Sequence, residues 1–285
     1  MIQTNQIFNN LPTDCIHEIS RFLTQSEFRT FYSGIYKCLA AAEQQNINHL
    51  FLQYTLNKEG SIKYVTDETF YNKINRQIVY TKYKPISLNL SLTTITDIID
   101  ITDISMIGNV HTLDLTDTDI TDIIDVSMLG NVHTLNLSGT NITDVSMLGN
   151  VHTLDLNHTN ITDVSMLGNV HTLQLSGCSG IIDVSMLENV HTLNLSWCKN
   201  IADVSMMGKV HKLDLSWTNI TDASMFENVH TLDLSWTNIT DVSMLGNVHT
   251  LNLYCCNKIT DVSMLGNVHT LKLYGCTEII HNLPN

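Results

Sequence analysis

The chain has 285 residues, 28 acidic against 14 basic side chains, a net charge of −14 and a hydrophobic share of 43%. That length admits one large domain or two, and the acid excess disfavours nucleic-acid backbones and anionic membrane surfaces as partners. The excess is confined to one part: residues 1–85 carry nine Lys/Arg against seven Asp/Glu, residues 86–285 five against twenty-one.

The first ten residues, Met1–Asn10, are polar and lack the apolar core of a signal peptide, and no run approaches 18 apolar residues. The expectation is a chain that is neither secreted nor membrane-spanning. Four of the seven cysteines, Cys178, Cys198, Cys256 and Cys276, recur at one repeat position. That usage suits reduced, buried thiols and a place in the cytoplasm or nucleus. Sequons such as Asn141-Ile142-Thr143 read as by-products of repetition.

From Leu11 the apolar residues Leu11, Cys15, Ile16, Ile19, Phe22 and Leu23 form a helical stripe. Thr24-Gln25-Ser26 interrupts it, and Ser26 is placed to cap a second helix carrying Phe28, Phe31, Ile35 and Leu39. Leu11-Pro12 opening a helix, the Phe22-Leu23 end and the second amphipathic helix resemble an F-box, although Lys37-Cys38-Leu39 lacks the Trp usual in that family. The resemblance implies a small all-α domain over residues 1–40. It also implies docking to the Skp-type adaptor of a cullin-RING ubiquitin ligase through Leu11, Pro12, Ile16, Ile19, Phe22, Leu23, Phe28 and Phe31. The other reading makes these helices a cap on the array that follows. Residues 41–85 read as a helical linker, with Lys58-Glu59-Gly60-Ser61 as a break.

Residues 86–285 repeat one unit, N-I-T-D-V-S-M-L-G-N-V-H-T-L-x-L-S-x-T, about ten times. Its histidine marks the coils: His111, His133, His152, His171, His191, His211, His230, His249 and His269, mostly 19 or 20 residues apart. A period that short means a solenoid, because one coil cannot bury its own apolar face. In one unit, Val132, Leu135 and Leu137 face inward around a short strand. Thr140 and Ile142 follow, and Asp144 is a candidate N-cap for a turn that points Val145 and Leu148 into the core. Gly149-Asn150 then reverses the chain.

This unit resembles the leucine-rich repeat, L-x-x-L-x-L-x-x-N/C-x-L, with Thr or Cys at the usual Asn/Cys position. The fold class expected is α/β: parallel strands on a concave face, short helical or irregular turns on a convex face. Loop length tracks the side chain. After Thr118, Thr140, Thr159, Thr218 and Thr237 the inward Ile comes two residues later; after Cys178, Cys198, Cys256 and Cys276 it comes three later. Each side chain is therefore expected to satisfy a turn of different size. The longer form resembles the cysteine-containing subclass common in F-box proteins. The first two coils carry extra steps at Ile95–Asp103 and Ile120–Asp125, as terminal repeats do.

Three ladders invite chemistry and receive structural readings. Stacked histidines about 4.8 Å apart lack the closed, oriented ligand set of a zinc site, and mutual repulsion should lower their pKa values. The Asp ladder, Asp103 through Asp261, is better employed accepting backbone N–H bonds than holding calcium. The Met ladder, with Met147, Met166 and Met244, is expected to pad the convex face. No cofactor or metal is expected.

Repetition does not explain the aromatic residues. Trp197, Trp217 and Trp236 occupy one position in three consecutive coils, with Tyr254 and Tyr274 one position earlier in the last two. They are expected beside the concave face, framed by Asp214 and Asp233, as the target-binding patch; the alternative is mutual stacking that only stiffens the loops. No catalytic signature is present, and any apparent triad would recur in every coil. The sequence therefore points to protein–protein interaction. The F-box resemblance implies the substrate-recognition subunit of a ubiquitin ligase in a eukaryotic or host cell, and the alternative is a plain interaction scaffold with an unidentified target.

Overall fold

The computed structural model describes residues 54–67, 69–71, 84–91, 108, 110–118 and 126–279. The F-box-like positions from Leu11 to Phe31, and the extra steps of the first two coils, lie outside the described residues.

Among the described residues eleven strands form one parallel sheet in sequence order. They are β1 (Tyr54–Leu56), β2 (Lys84–Asn89), β3 (Val110–Asp114), β4 (Thr134–Asn136), β5 (Thr153–Asp155), β6 (Thr172–Gln174), β7 (Thr192–Asn194), β8 (Lys212–Asp214), β9 (Thr231–Asp233), β10 (Thr250–Asn252) and β11 (Thr270–Lys272). Each neighbour is paired in register through the central leucine, as in Leu135↔Leu154 and Leu213↔Leu232. The spacing of 19 or 20 residues is what keeps that register from coil to coil.

The sheet starts earlier than the sequence pattern suggests, in a stretch that reads as helical. The expected break at Lys58–Ser61 is instead the first turn of α1 (Lys58–Thr66). Asn57 caps it by accepting the Gly60 N–H at 2.9 Å, so Gly60 stands where a cap bond fixes the backbone. Ser61 is fully buried, donates to Leu56 O and accepts the Asn89 N–H, tying the helix to β1 and β2.

The spine is aliphatic. Val132, Leu135, Leu137, Ile142, Val145 and Leu148 are each 2% exposed or less, as are their equivalents in the next coil. Full burial of each such side chain contributes roughly 1.5–3 kcal/mol, which is how coils too short to fold alone become stable together.

Among the described residues the far side of most coils is a 3₁₀ turn, such as Ser165–Leu167 or Ser205–Lys209, and around Val145–Gly149 a plain turn. The Leu148 N–H reaches Val145 O and the Val151 N–H reaches Leu148 O, both at 3.0 Å, leaving room for a single tight winding. The expected Asp N-cap is displaced. The residue flanking each described turn is Val or Ala, such as Val164, with no side-chain cap. Asp163 sits one position earlier and closes an Asx turn by accepting the Ser165 N–H at 2.9 Å. Gly149 follows because the next coil's Met166 carbonyl oxygen would lie 2.3 Å from a Cβ there. The ladder methionines Met147, Met166 and Met186 lie on the outside of the turn side, more than half exposed.

Candidate binding surface

The loop after each strand is built by side chains. Every Thr at the loop position donates its hydroxyl to the carbonyl of its own coil, as Thr140 to Leu137 O at 2.7 Å and Thr218 to Leu215 O at 2.6 Å. Every Cys reaches back one coil instead: Cys178 to Leu156 O, Cys198 to Leu175 O, Cys256 to Leu234 O and Cys276 to Leu253 O, at 2.9–3.1 Å. The longer Cys loops then add a second turn, with the Ile181 N–H on Cys178 O and the Ile259 N–H on Cys256 O. Side chain and loop length are thus two parts of one hydrogen-bonding arrangement. These thiols are free, and burial pushes all four upward, Cys198 to about 12.

The residue between the two leucines of L-x-L points to the strand face and closes a further Asx turn. Asp214 accepts the Ser216 N–H and Asp233 the Ser235 N–H, each at 2.9 Å. Neighbouring amides cross-link this column: Asn194 donates to Gln174 at 2.9 Å and Asn252 to Asp233 at 2.7 Å. Burial raises the Asp214 carboxyl, a shift opposed by its Ser216 bonds and reinforced by the charge of Asp233. Burial likewise raises Asp155.

Three residues further on, the chain enters the left-handed region in all nine coils: Asp117, Gly139, His158, Gly177, Trp197, Trp217, Trp236, Cys255 and Gly275 have φ between 52° and 84°. The conformation lets the backbone continue pairing past the strand, so the Trp197, Trp217 and Trp236 N–H groups reach Ser216, Ser235 and Tyr254 O at 2.9–3.0 Å. A non-glycine residue there is strained, and tryptophan stands there three times running.

The three indoles stack, with centroids 4.4 Å apart for Trp197–Trp217 and 4.3 Å for Trp217–Trp236. Tyr254 extends the column at 5.9 Å and Tyr274 at 5.7 Å. Lys199 Nζ lies 5.2 Å from the Trp197 ring centroid. The rings stack on one another, and Trp197 (44%), Trp236 (41%) and Tyr274 (79%) are exposed while Trp217 is half-buried between its neighbours. Asp214 and Trp217, like Asp233 and Trp236, share one coil's strand exit, so the structure places the predicted patch residues in one column.

The histidines form a second, separate stack with centroids 4.5–4.7 Å apart. His133 and His211 are held below the usual imidazole value, first by burial and then by flanking imidazoles. His Nδ1 is engaged by the following threonine hydroxyl, as in His152–Thr153 at 3.3 Å. Among the described residues no group of three or more His, Cys, Asp or Glu is placed to hold a metal ion. On the turn side, a groove of about 360 Å³ lies between two coils, lined by Asp163, Ile182, Asp183 and Met186. It escaped the sequence reading because its signal is slight, Ile182 where the flanking coils have Thr162 and Ala202.

In-register parallel strands, one leucine-lined spine and a tight turn closing every coil define a leucine-rich-repeat solenoid. The leucine-rich repeat as a family matches residues 209–226 and 227–245. Among solved structures, an internalin (InlF) from Listeria monocytogenes str. 4b F2365 is 26% identical with a TM-score of 0.54, over 62% of this chain and 61% of that one. Internalin C2 from the same strain is 25% identical with a TM-score of 0.51, over 59% of this chain and 82% of that one. The match to InlF thus spans under two thirds of its length. Comparison with curated proteins finds no match. The chain carries leucine-rich repeats, matched by the family over residues 209–245.

Proposed function

We propose that this protein is a protein–protein interaction module whose docking surface is the aromatic column Trp197, Trp217, Trp236, Tyr254 and Tyr274. The observation that carries the reading is the strained tryptophan run. Glycine fills the same left-handed position without penalty in Gly139, Gly177 and Gly275, so the indoles are present for their side chains, and much of their surface faces solvent. Exposed, pre-stacked Trp and Tyr side chains lose little entropy on binding and are the usual anchors of interfaces. The test is affinity capture of partners by the full chain against a Trp217→Gly, Trp236→Gly variant. The variant should recover fewer partners; equal recovery by both proteins would remove the column from the function.

Within that function the finer assignment is substrate recognition for a cullin-RING ubiquitin ligase, acting in the cytoplasm or nucleus of a eukaryotic or host cell. Its support is the F-box resemblance of Leu11-Pro12, Ile16, Ile19, Phe22-Leu23, Phe28 and Phe31. The full chain should bind a Skp-type adaptor directly, and Leu11→Ala with Phe22→Ala should abolish that binding. Absence of adaptor binding by the intact protein leaves an interaction scaffold without a ligase link.

A further inference from the structure

Resting on the aromatic column as a docking surface, we propose that its partner presents an arginine, whose guanidinium bridges Asp214 and Asp233 while the flanking residues of the partner pack along Trp217 and Trp236. Asp214 and Asp233 are direct neighbours across the β8–β9 pair, about 4.8 Å apart along the sheet. In the described column Asn89, Asp114, Asn136, Asp155, Gln174, Asn194, Asp214, Asp233, Asn252 and Lys272, this is the one place where two carboxylates are adjacent. Like charges in register repel, and among the described residues no cation is ion-paired with either carboxylate. The ion pair seen among the described residues, Lys209–Glu188 at 2.8 Å, belongs to the turn side. Asp233 receives an amide proton from Asn252, whereas the hydrogen bonds of Asp214 come from Ser216 alone.

The acidic pair and the aromatic column coincide, because Asp214 and Asp233 open the very loops that carry Trp217 and Trp236. The column also accepts a cation within the chain itself, as Lys199 over Trp197 shows. Arginine fits better than lysine. Its planar fork can donate to two carboxylates at once, and its face packs on aromatic rings while it does so. A net charge of −14 draws a basic partner toward the surface before contact.

The test uses the full chain and a heptapeptide of alternating glycine and arginine, with lysine and glutamate versions, followed by tryptophan fluorescence and calorimetry. The arginine peptide should saturate and bind tightest, the glutamate peptide least. The Asp214→Asn, Asp233→Asn variant should bind the arginine peptide at least tenfold more weakly, with a flatter salt dependence. Asparagine stands at this position in the coils of Asn136, Asn194 and Asn252, so the variant keeps its turns, and an unchanged unfolding midpoint verifies this. Asp155→Asn, which removes one charge elsewhere on the same face, should leave affinity unchanged. The proposal is overturned if the arginine peptide fails to bind, if the double variant binds like wild type, or if Asp155→Asn is equally damaging. Loss of captured partners in the Trp217→Gly, Trp236→Gly variant but not in the double asparagine variant would overturn the arginine and leave the docking surface standing. Retention in both would overturn the two together.

Discussion

The thiol of Cys178 donates to the carbonyl of Leu156, a residue of the preceding coil, at 3.1 Å. Thr159, one coil earlier, already donates its hydroxyl to that same oxygen at 2.7 Å, so a single carbonyl joins a short loop to a long one. The cysteine loops are therefore inter-coil fasteners as well as turns.

Removing a fastener leaves a small cavity and takes one hydrogen bond from its acceptor; Leu175 O, which Cys198 reaches at 3.0 Å, keeps the Cys178 N–H at 3.2 Å. Cys198→Ala should destabilise the protein by about 1–3 kcal/mol, read as a lower denaturant midpoint. Because Cys178, Cys198 and Cys256 are buried with raised thiol pKa values, alkylation of the native protein near pH 8 followed by peptide mapping should leave these three unmodified until the chain is unfolded. Fast modification of Cys198 in the folded protein would contradict the packing.

Much of this was legible beforehand. The exchange of Thr for Cys with loop length is visible as spacing, and the inward rows of Val132, Leu135, Leu137 and Ile142 are visible as alternation. The direction of the cysteine bond was not, since spacing does not say which coil supplies the acceptor. Nor did the pattern reveal the left-handed backbone at Trp197, Trp217 and Trp236, although Gly139, Gly177 and Gly275 at the same position were the available signal. The Asp ladder was assigned as caps because Asp before an apolar turn has that signature; the 3₁₀ winding is too short, and the carboxylate closes a turn of its own. The start of the sheet at Tyr54 was hidden because that segment lacks the repeat.

The backbone at Trp217, with φ of 60°, makes a specific demand on stability. Trp217→Ala loses the stack and keeps the strain, whereas Trp217→Gly loses the stack and relieves it. The glycine variant should be the more stable of the two by about 1 kcal/mol. Equal stabilities, or a more stable alanine variant, would show that the left-handed conformation is not retained in solution.

Close coil contact makes a second demand. A Cβ at Gly149 would meet the Met166 carbonyl oxygen at 2.3 Å, while at Gly266 nothing lies within 4 Å. Glu188 and Glu227 occupy the equivalent position in two coils, so a side chain there is survivable. Gly149→Ala should accordingly cost about 1–3 kcal/mol, the range for overpacking, and Gly266→Ala should be neutral or stabilising by up to about 1 kcal/mol. Thermal unfolding of the pair distinguishes them, and similar losses in both would refute the contact.

Acid should loosen the array in two stages, because two histidines and six aspartates shift in the same sense for different reasons. His133 and His211 have lowered folded-state values, through burial first and neighbouring imidazoles second. In the window from the ordinary value near 6.5 down to the lowered one, the unfolded chain binds more protons than the folded chain. Their contribution is therefore complete above about pH 6.5 and lost as pH falls through the folded values. Asp163, Asp183, Asp203, Asp222, Asp241 and Asp261 are lowered chiefly by the serine N–H bonds they accept. What they add is present above the ordinary carboxylate value and lost below it, in a second and more acidic step. Asp155 and Asp214, raised by burial, work the other way: they gain stability on protonation, but they are two against six. The unfolding midpoint should be flat above about pH 7, begin to fall below the ordinary imidazole value near 6.5, and fall again below the ordinary carboxylate value near 4. Replacing His133 and His211 with asparagine should flatten the first fall and leave the second. An unaltered first fall in that variant would mean that the stacked imidazoles do not govern it.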